Sequence, residues 1–302
     1  MLLSLGDKGT PIAVAKNNED LDIVRLVEEE EVTCDILTDP RLRECSNSSF
    51  LVSQDSLLDS VGIRTRAPKK KKDLDVLLHR RREIEEQAVG KELHLVAGTL
   101  EIFPSMQREC VLLCGASGAG KSYLAGRYML LWKKLHPNAT IYIFSRLEKD
   151  PTLDRIGLEY VRIPLDETYI DHGLTMEDLD KGSLCLFDDI SSLQESRPLL
   201  FKSVNNLLGQ ILETGRHRGI YVVVTSHTIL GYKSTRLLLS ECNKIVLYPK
   251  ASTRYQLESY LSRYAGMSKQ EIIRFCALPS RWVCLQLTGQ RYVLYSNGVY
   301  LT

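Results

Sequence analysis

No stretch of this 302-residue chain is apolar for 18 residues in a row, so nothing in it reads as a membrane-spanning helix. The opening Met1-Leu-Leu-Ser-Leu-Gly-Asp7 lacks a basic run followed by an apolar core, so we expect a soluble, non-secreted protein. Net charge is almost absent, with 39 Lys and Arg against 38 Asp and Glu. There is therefore no overall basic field, and a nucleic-acid partner would have to be gripped by a local patch or by several copies in a ring. The eight cysteines include no C-x-x-C pair and no histidine near enough to complete a zinc pattern. Cys110, Cys114 and Cys185 fall on predicted buried strands, which reads as reduced core thiols in a cytosol-like compartment. Aromatic residues are few at 7%, and the fourteen tyrosines are too dispersed for a base-stacking platform. Trp132 and Trp282 read as packing residues. There is no internal repeat, and no low-complexity tract beyond one run of lysines.

What is present is enough for a real core. Hydrophobic residues make up 44% of the chain, and the length corresponds to about two domains. Residues 1–62 carry the acidic run Glu28-Glu-Glu-Glu31 between apolar stretches such as Pro11-Ile-Ala-Val-Ala15, and read as a small, mostly β accessory region of unassigned role. Residues 63–92 include Arg64-Thr-Arg-Ala-Pro-Lys-Lys-Lys-Lys72 and Arg80-Arg-Arg82. They read as a basic linker entering a helix, either a solvated connector, a nucleic-acid contact or a targeting patch. From Leu93 to Thr302 strands alternate with helices, the pattern of a three-layer, mostly parallel α/β sheet. Strands are predicted near 93–96, 110–114, 140–144, 160–163, 184–187, 220–224 and 244–247. Two short helices, over 253–263 and 268–276, are predicted before a final hairpin-like pair near 282–287 and 292–295.

One motif dominates. The apolar run Cys110-Val-Leu-Leu-Cys114 leads into Gly115-Ala-Ser-Gly-Ala-Gly-Lys-Ser122, a complete G-x-x-x-x-G-K-[ST] loop with a helical stretch from Tyr123 to Leu135 behind it. Such a loop turns successive backbone N–H groups inward around phosphates, its Lys121 reaches the β and γ oxygens, and its Ser122 hydroxyl ligates Mg²⁺. Gly115, Ala116, Ser117, Gly118, Ala119, Gly120, Lys121, Ser122 and Tyr123 are accordingly the expected nucleotide-binding residues, with ATP and Mg²⁺ as cofactors.

Leu184-Cys-Leu-Phe187 ends in Asp188-Asp189, the paired carboxylates a phosphate-loop NTPase needs on the strand beside its loop. Asp188 is expected to hold Mg²⁺ through a water, and Asp189 to polarise the attacking water. The alternative for Asp189 is that it only caps the next segment. A second block, Glu213-Thr-Gly-Arg-His-Arg-Gly-Ile-Tyr-Val-Val-Val-Thr-Ser-His227, ends a helix and then runs a strand that finishes on polar residues. Ser226 and His227 are candidates to sense the γ-phosphate or the water, and His227 is the one assigned a catalytic role. Arg216 and Arg218 sit at the other end of that strand. They cannot easily reach their own nucleotide, but they can serve a neighbouring subunit as an arginine finger or make surface ion pairs. Arg146, at the end of another strand, is read as a phosphate or DNA contact or as the partner of Asp150.

The run Gly215 to His227 resembles the corresponding segment of the FtsK/HerA superfamily of DNA-pumping ATPases, and within it the genome-packaging ATPases of large double-stranded DNA viruses, the poxvirus-type family. Gly115 to Ser122, Ile141-Tyr-Ile-Phe-Ser-Arg146 with Asp150-Pro151, Leu186-Phe-Asp-Asp189, and Asn243 to Lys250 with Ser280-Arg-Trp-Val283 agree with it. The resemblance covers about residues 93–302. It implies a RecA-like core with a C-terminal β-hairpin, a homo-oligomeric ring, double-stranded DNA as partner, and ATP-driven movement of that DNA into a preformed capsid. A capsid or portal-vertex component would anchor the motor in the host cytoplasm or at the viral assembly site, with retention in the virion left open. The chain differs from many cellular members in ending its sensor strand with Ser-His instead of Gln, and in having Asp where they carry Glu after the first acid. A cellular-type DNA pump, a P-loop kinase acting on a small acceptor and a non-hydrolysing nucleotide switch are the alternative readings.

Overall fold

The computed structural model describes residues 2–4, 9–16, 21–27, 89–90, 92–95, 99–171, 173–229 and 233–302. The basic linker and its expected helix lie outside these residues, apart from 89–90 and 92. The chain divides into two compact units, one formed by residues 1–102 with 292–302, the other by 103–291.

In the first unit, β1 (Leu2–Ser4), β2 (Thr10–Lys16), β3 (Leu21–Val27), β4 (Val89–Gly90), β5 (Glu92–His94) and β6 (Thr99–Ile102) precede the second unit in sequence. The antiparallel sheet has the order β4-β1-β3-β2-β6. The β2 residues Ile12 to Ala15 are all buried, and a bulge between Pro11 and Ala13 shifts the register against β3, which lets consecutive apolar side chains enter the core. The expectation of β structure near the amino terminus agrees with these strands.

The second unit holds the predicted α/β alternation. Its strands are β7 (Cys110–Cys114), β8 (Ile141–Ser145), β9 (Val161–Pro164), β10 (Leu184–Phe187), β11 (Tyr221–Ser226), β12 (Lys244–Leu247) and β13 (Val283–Gln286). They lie in the order β13-β12-β7-β11-β10-β8-β9. All neighbours are parallel except β13, which runs antiparallel to β12. The central strands β7, β10, β11 and β12 are buried at every residue, as a parallel sheet covered on both faces requires. Within that core the rings of Phe144 and Phe187 stack 4.6 Å apart, and Trp132 is wholly buried, as its reading as a packing residue anticipated. Helix α1 (Lys121–Leu135) follows β7, and α2 (Pro198–Thr214) precedes the turn into β11. Further helices are α3 (Lys233–Glu241), α4 (Arg254–Arg263) and α5 (Lys269–Ala277). Ser268 caps α5 through a reciprocal box with Glu271, the sequence signature of a helix start.

The chain closes with β14 (Tyr292–Tyr295) and β15 (Gly298–Leu301), an antiparallel hairpin of the first unit in which β15 also pairs with β5. A C-terminal hairpin is therefore present, but it includes a strand, Gly298–Leu301, that the sequence does not suggest. Gly298–Leu301 forms it with 292–295, while the strand expected at 282–287 pairs with β12.

The acid-bearing strand departs from expectation. It was placed beside the phosphate-loop strand, yet β11 pairs with both β7 and β10 and stands between them. Each of these parallel strands needs a crossover, and the chain visits β8, β9 and β10 in turn before β11 fills the gap. The polar end of β11 is thereby placed between the loop and the acids.

Candidate active site

The site lies along the carboxyl ends of β7, β11 and β10, the edge at which open α/β sheets bind ligands. Fully buried β7 delivers the chain to Gly115, whose N–H still bonds the carbonyl of Ser226 at 3.1 Å. A Cβ on Gly115 would come within 2.6 Å of the Tyr248 ring, so the loop begins where only glycine fits. Gly120 caps α1 with φ 108°, a left-handed geometry that L side chains resist. The loop then feeds the amino end of α1, where unpaired N–H groups and the helix dipole favour phosphate.

Lys121 is buried at the start of α1 and its ammonium reaches three acceptors. These are the carbonyls of Gly115 at 2.8 Å and Ala116 at 3.0 Å, and Nδ1 of His227 at 3.3 Å. Desolvation lowers its pKa, opposed by the charges of Asp189, Cys114 and Asp188. An ammonium has three donors and no acceptor. His227 therefore accepts at Nδ1 and carries its proton on Nε2, which donates to Oδ2 of Asp189 at 2.9 Å. The result is a continuous chain, Lys121–His227–Asp189.

Asp188 is held differently. Its Oδ1 accepts from the Thr225 hydroxyl at 2.8 Å and its Oδ2 from Ser145 at 3.3 Å. Burial raises its pKa most, the Thr225 hydrogen bond works against this, and Asp150 and Asp189 add to the rise. Thr225 does two things at once, because its oxygen also accepts the backbone N–H of Asp189 at 2.8 Å. Asp189 has φ 48°, unique among the described non-glycine residues in being positive. Strain of this kind, of order 1–3 kcal/mol, persists where the surroundings enforce it. Here Thr225 fixes the backbone and His227 the side chain. Asp189 also stands at the N-cap of the turn Ile190–Ser192, but caps it with no side-chain bond to backbone N–H: its carboxylate accepts from His227 and from Ser191 Oγ at 3.4 Å, and its backbone carbonyl from Ser192 N–H at 3.2 Å.

Lys121, Asp188, Asp189 and His227 are thus brought together. Ser122, in the first turn of α1, is part-buried and Tyr123 is exposed. The hydroxyl of Ser226 is spent on the turn that follows, donating to the carbonyl of Thr228 at 2.9 Å. Arg216 and Arg218 lie in the short helical turn Gly215–Arg218 at the amino end of β11, about 20 Å from His227 at strand rise. Arg216 is exposed, whereas Arg218 donates to the carbonyl of Leu179 at 2.7 Å. Arg146 is exposed at the end of β8, and the Asp150 carboxylate instead caps the turn 151–154 through the N–H groups of Thr152 and Leu153. Sequence reasoning missed Thr225 and Ser145. Their signal was faint, a hydroxyl residue at or near the end of each apolar strand.

Among the described residues no group of three or more His, Cys, Asp or Glu is arranged to hold a metal. Mg²⁺ is commonly held by one or two protein oxygens together with substrate phosphates, and Ser122 and Asp188 offer hard oxygen donors of that kind.

Phosphate loop, α1, the paired acids and an intervening polar strand end together define a P-loop ATPase with a RecA-like core. The chain belongs to the family of protein V3 of Sputnik virophage, an uncharacterized protein with which it shares 37% identity over 223 residues, 71% of this chain and 86% of that protein. No protein-family model matches the chain. Among solved structures it is similar to B204, the DNA-packaging ATPase of Sulfolobus turreted icosahedral virus, at 15% identity and TM-score 0.41 over 60% of this chain and 93% of that one. It is also similar to the conjugation coupling protein TcpA of pCW3, at 12% identity and TM-score 0.43 over 96% and 86% of the two chains.

Proposed function

We propose that this protein is an ATP-driven double-stranded DNA translocase that packages a viral genome into a preformed capsid. The observation that carries the hydrolytic part is the linked chain Lys121–His227–Asp189 beside Asp188, on the sheet edge that holds the phosphate loop. Gly115 to Tyr123 bind the nucleotide, and Lys121 moves from the loop carbonyls to the β and γ oxygens. Asp189 accepts a proton from the attacking water, while His227 holds that carboxylate and reports the position of Lys121. Ser122 and Asp188 hold Mg²⁺, which when bound neutralises charge developing on the phosphates.

The packaging part is supported by the family motifs spread over residues 115–283 and by membership in a virophage protein family. Copies assemble as a homo-oligomeric ring, which also answers the near-zero net charge, because a ring multiplies a modest local patch around duplex DNA. Arg216, exposed and on the far end of β11, serves the neighbouring subunit's nucleotide, with Arg218 anchoring the turn that presents it. The ring docks on a capsid or portal-vertex component at the viral assembly site. Among the described residues no helix is long and apolar enough to cross a membrane. Translocation is tested by ATP-dependent displacement of a third strand from the end of a long duplex. Displacement by the wild type and none by Lys121→Ala is the expected result, and wild-type ATP turnover with no displacement on any duplex would contradict the motor.

A further inference from the structure

A second cation stands at the phosphate loop. Arg281 comes from the bend between α5 and β13, where buried Ser280 is fixed by its N–H on the carbonyl of Leu278 at 2.8 Å and by its hydroxyl on the carbonyl of Trp282 at 2.5 Å. The sheet register puts it there. Val283 opens β13 opposite Leu247, and Leu247 lies beside Cys114, the last residue of β7. Arg281, two residues ahead of Val283, therefore projects beyond the carboxyl edge at the level where the loop begins. Its Nη2 donates to the carbonyl of Gly118 at 2.6 Å, and its guanidinium lies 3.7 Å from the place a Cβ would take on Gly120. Both glycines are left-handed, with φ 70° and 108°.

We propose that Arg281 is a nucleotide-binding residue that braces the phosphate loop at Gly118 and presents its remaining donors to the polyphosphate of the bound nucleotide. This rests on the ATPase reading of the site. A guanidinium has five N–H donors, and one suffices for Gly118. The side chain is exposed, and no carboxylate pairs with it among the described residues. Its charge is felt locally: burial pushes the Tyr248 hydroxyl up, and Arg281 pulls it the other way. A planar fork holding loop backbone with one arm is suited to charge-assisted contact with phosphate oxygens. Lys121 and Arg281 then approach the polyphosphate from two sides, one from inside the loop and one from the strand beyond it.

The test uses the full chain and its Arg281→Ala and Arg281→Lys variants, with dissociation constants for β,γ-methylene-ATP and for AMP measured by calorimetry and steady-state ATP turnover alongside. Arg281→Ala should weaken the triphosphate analogue about tenfold or more while AMP changes less than about threefold, and should raise KM by a like factor with kcat nearly unchanged. Arg281→Lys, which keeps the charge but not the fork, should recover only part of the loss. Equal weakening of AMP and the analogue would reduce Arg281 to a fold brace and overturn the proposal, as would an alanine variant that binds the analogue normally. A wild-type chain that binds neither nucleotide would instead sink the ATPase reading on which it rests.

Discussion

Two charged clusters sit at opposite ends of the same parallel sheet, and they are built for different ends. At the amino edge, Glu109 and Lys244 are 4% and 5% exposed and 2.8 Å apart. Lys244 also donates to the carbonyl of Phe103, and Glu109 accepts from the Tyr128 hydroxyl and from Ser105 N–H. Both charges are closed off by partners of the same chain. At the carboxyl edge, Asp189 and His227 are 30% and 39% exposed, and the partners of Lys121 are two loop carbonyls and an imidazole. Those bonds are exchangeable, because a phosphate offers Lys121 stronger acceptors than a carbonyl does. A buried, saturated ion pair locks strands together, whereas a half-exposed chain of donors and acceptors can be rearranged by a ligand.

The comparison is broken most severely at Lys121. Lys121→Ala should lower kcat/KM for ATP by about 10³-fold with the fold retained, since a preorganised contact to developing phosphate charge is lost; turnover and circular dichroism check both halves. Next comes Glu109→Ala, which should cost about 3–5 kcal/mol of unfolding free energy in urea melts by leaving Lys244 buried without its counter-charge. Turnover per folded molecule should be little altered. The double variant Glu109→Leu with Lys244→Met should be markedly less destabilised than either single, as a purely structural pair predicts. If instead the double variant loses ATPase activity, the division between the two edges fails.

Smaller effects sharpen the carboxyl edge itself. His227→Ala should reduce kcat by about 10- to 100-fold through loss of the group that orients Asp189. Thr225→Val keeps the shape but removes both the bond to Asp188 and the acceptor for Asp189 N–H, and should cost about tenfold in kcat and about 1–3 kcal/mol of stability. Arg218→Ala, smallest of all, should cost about 1 kcal/mol of stability through the bonds to the carbonyls of Leu179 and Glu177. Turnover by isolated subunits should not change.

Much of the carboxyl edge was legible in the sequence because its determinants are local. Gly115 to Ser122 and Leu184 to Asp189 each compress a strand, a turn and its chemistry into a few consecutive residues, and β7, β10 and β12 are short apolar runs with clear ends. What the sequence hid is lateral order. Nothing local says that β11 intervenes between β7 and β10, so the role of Thr225 as a bracket on both acids was invisible although its residues were in plain view. Arg281 was hidden for the same reason, being brought to Gly118 by the register of β13 on β12 and of β12 on β7. The final strand, Gly298–Leu301, was missed because its Gly-Val-Tyr-Leu run is too short to show a period.

The most direct test of the central claim is steady-state ATP turnover by the purified wild-type chain, with and without long duplex DNA, at low and moderate salt, with Lys121→Ala alongside. Turnover that rises with duplex of any sequence, weakens as salt is raised and vanishes in the variant is the result this account predicts. Turnover equal in wild type and variant, or indifferent to duplex under every condition, would contradict it.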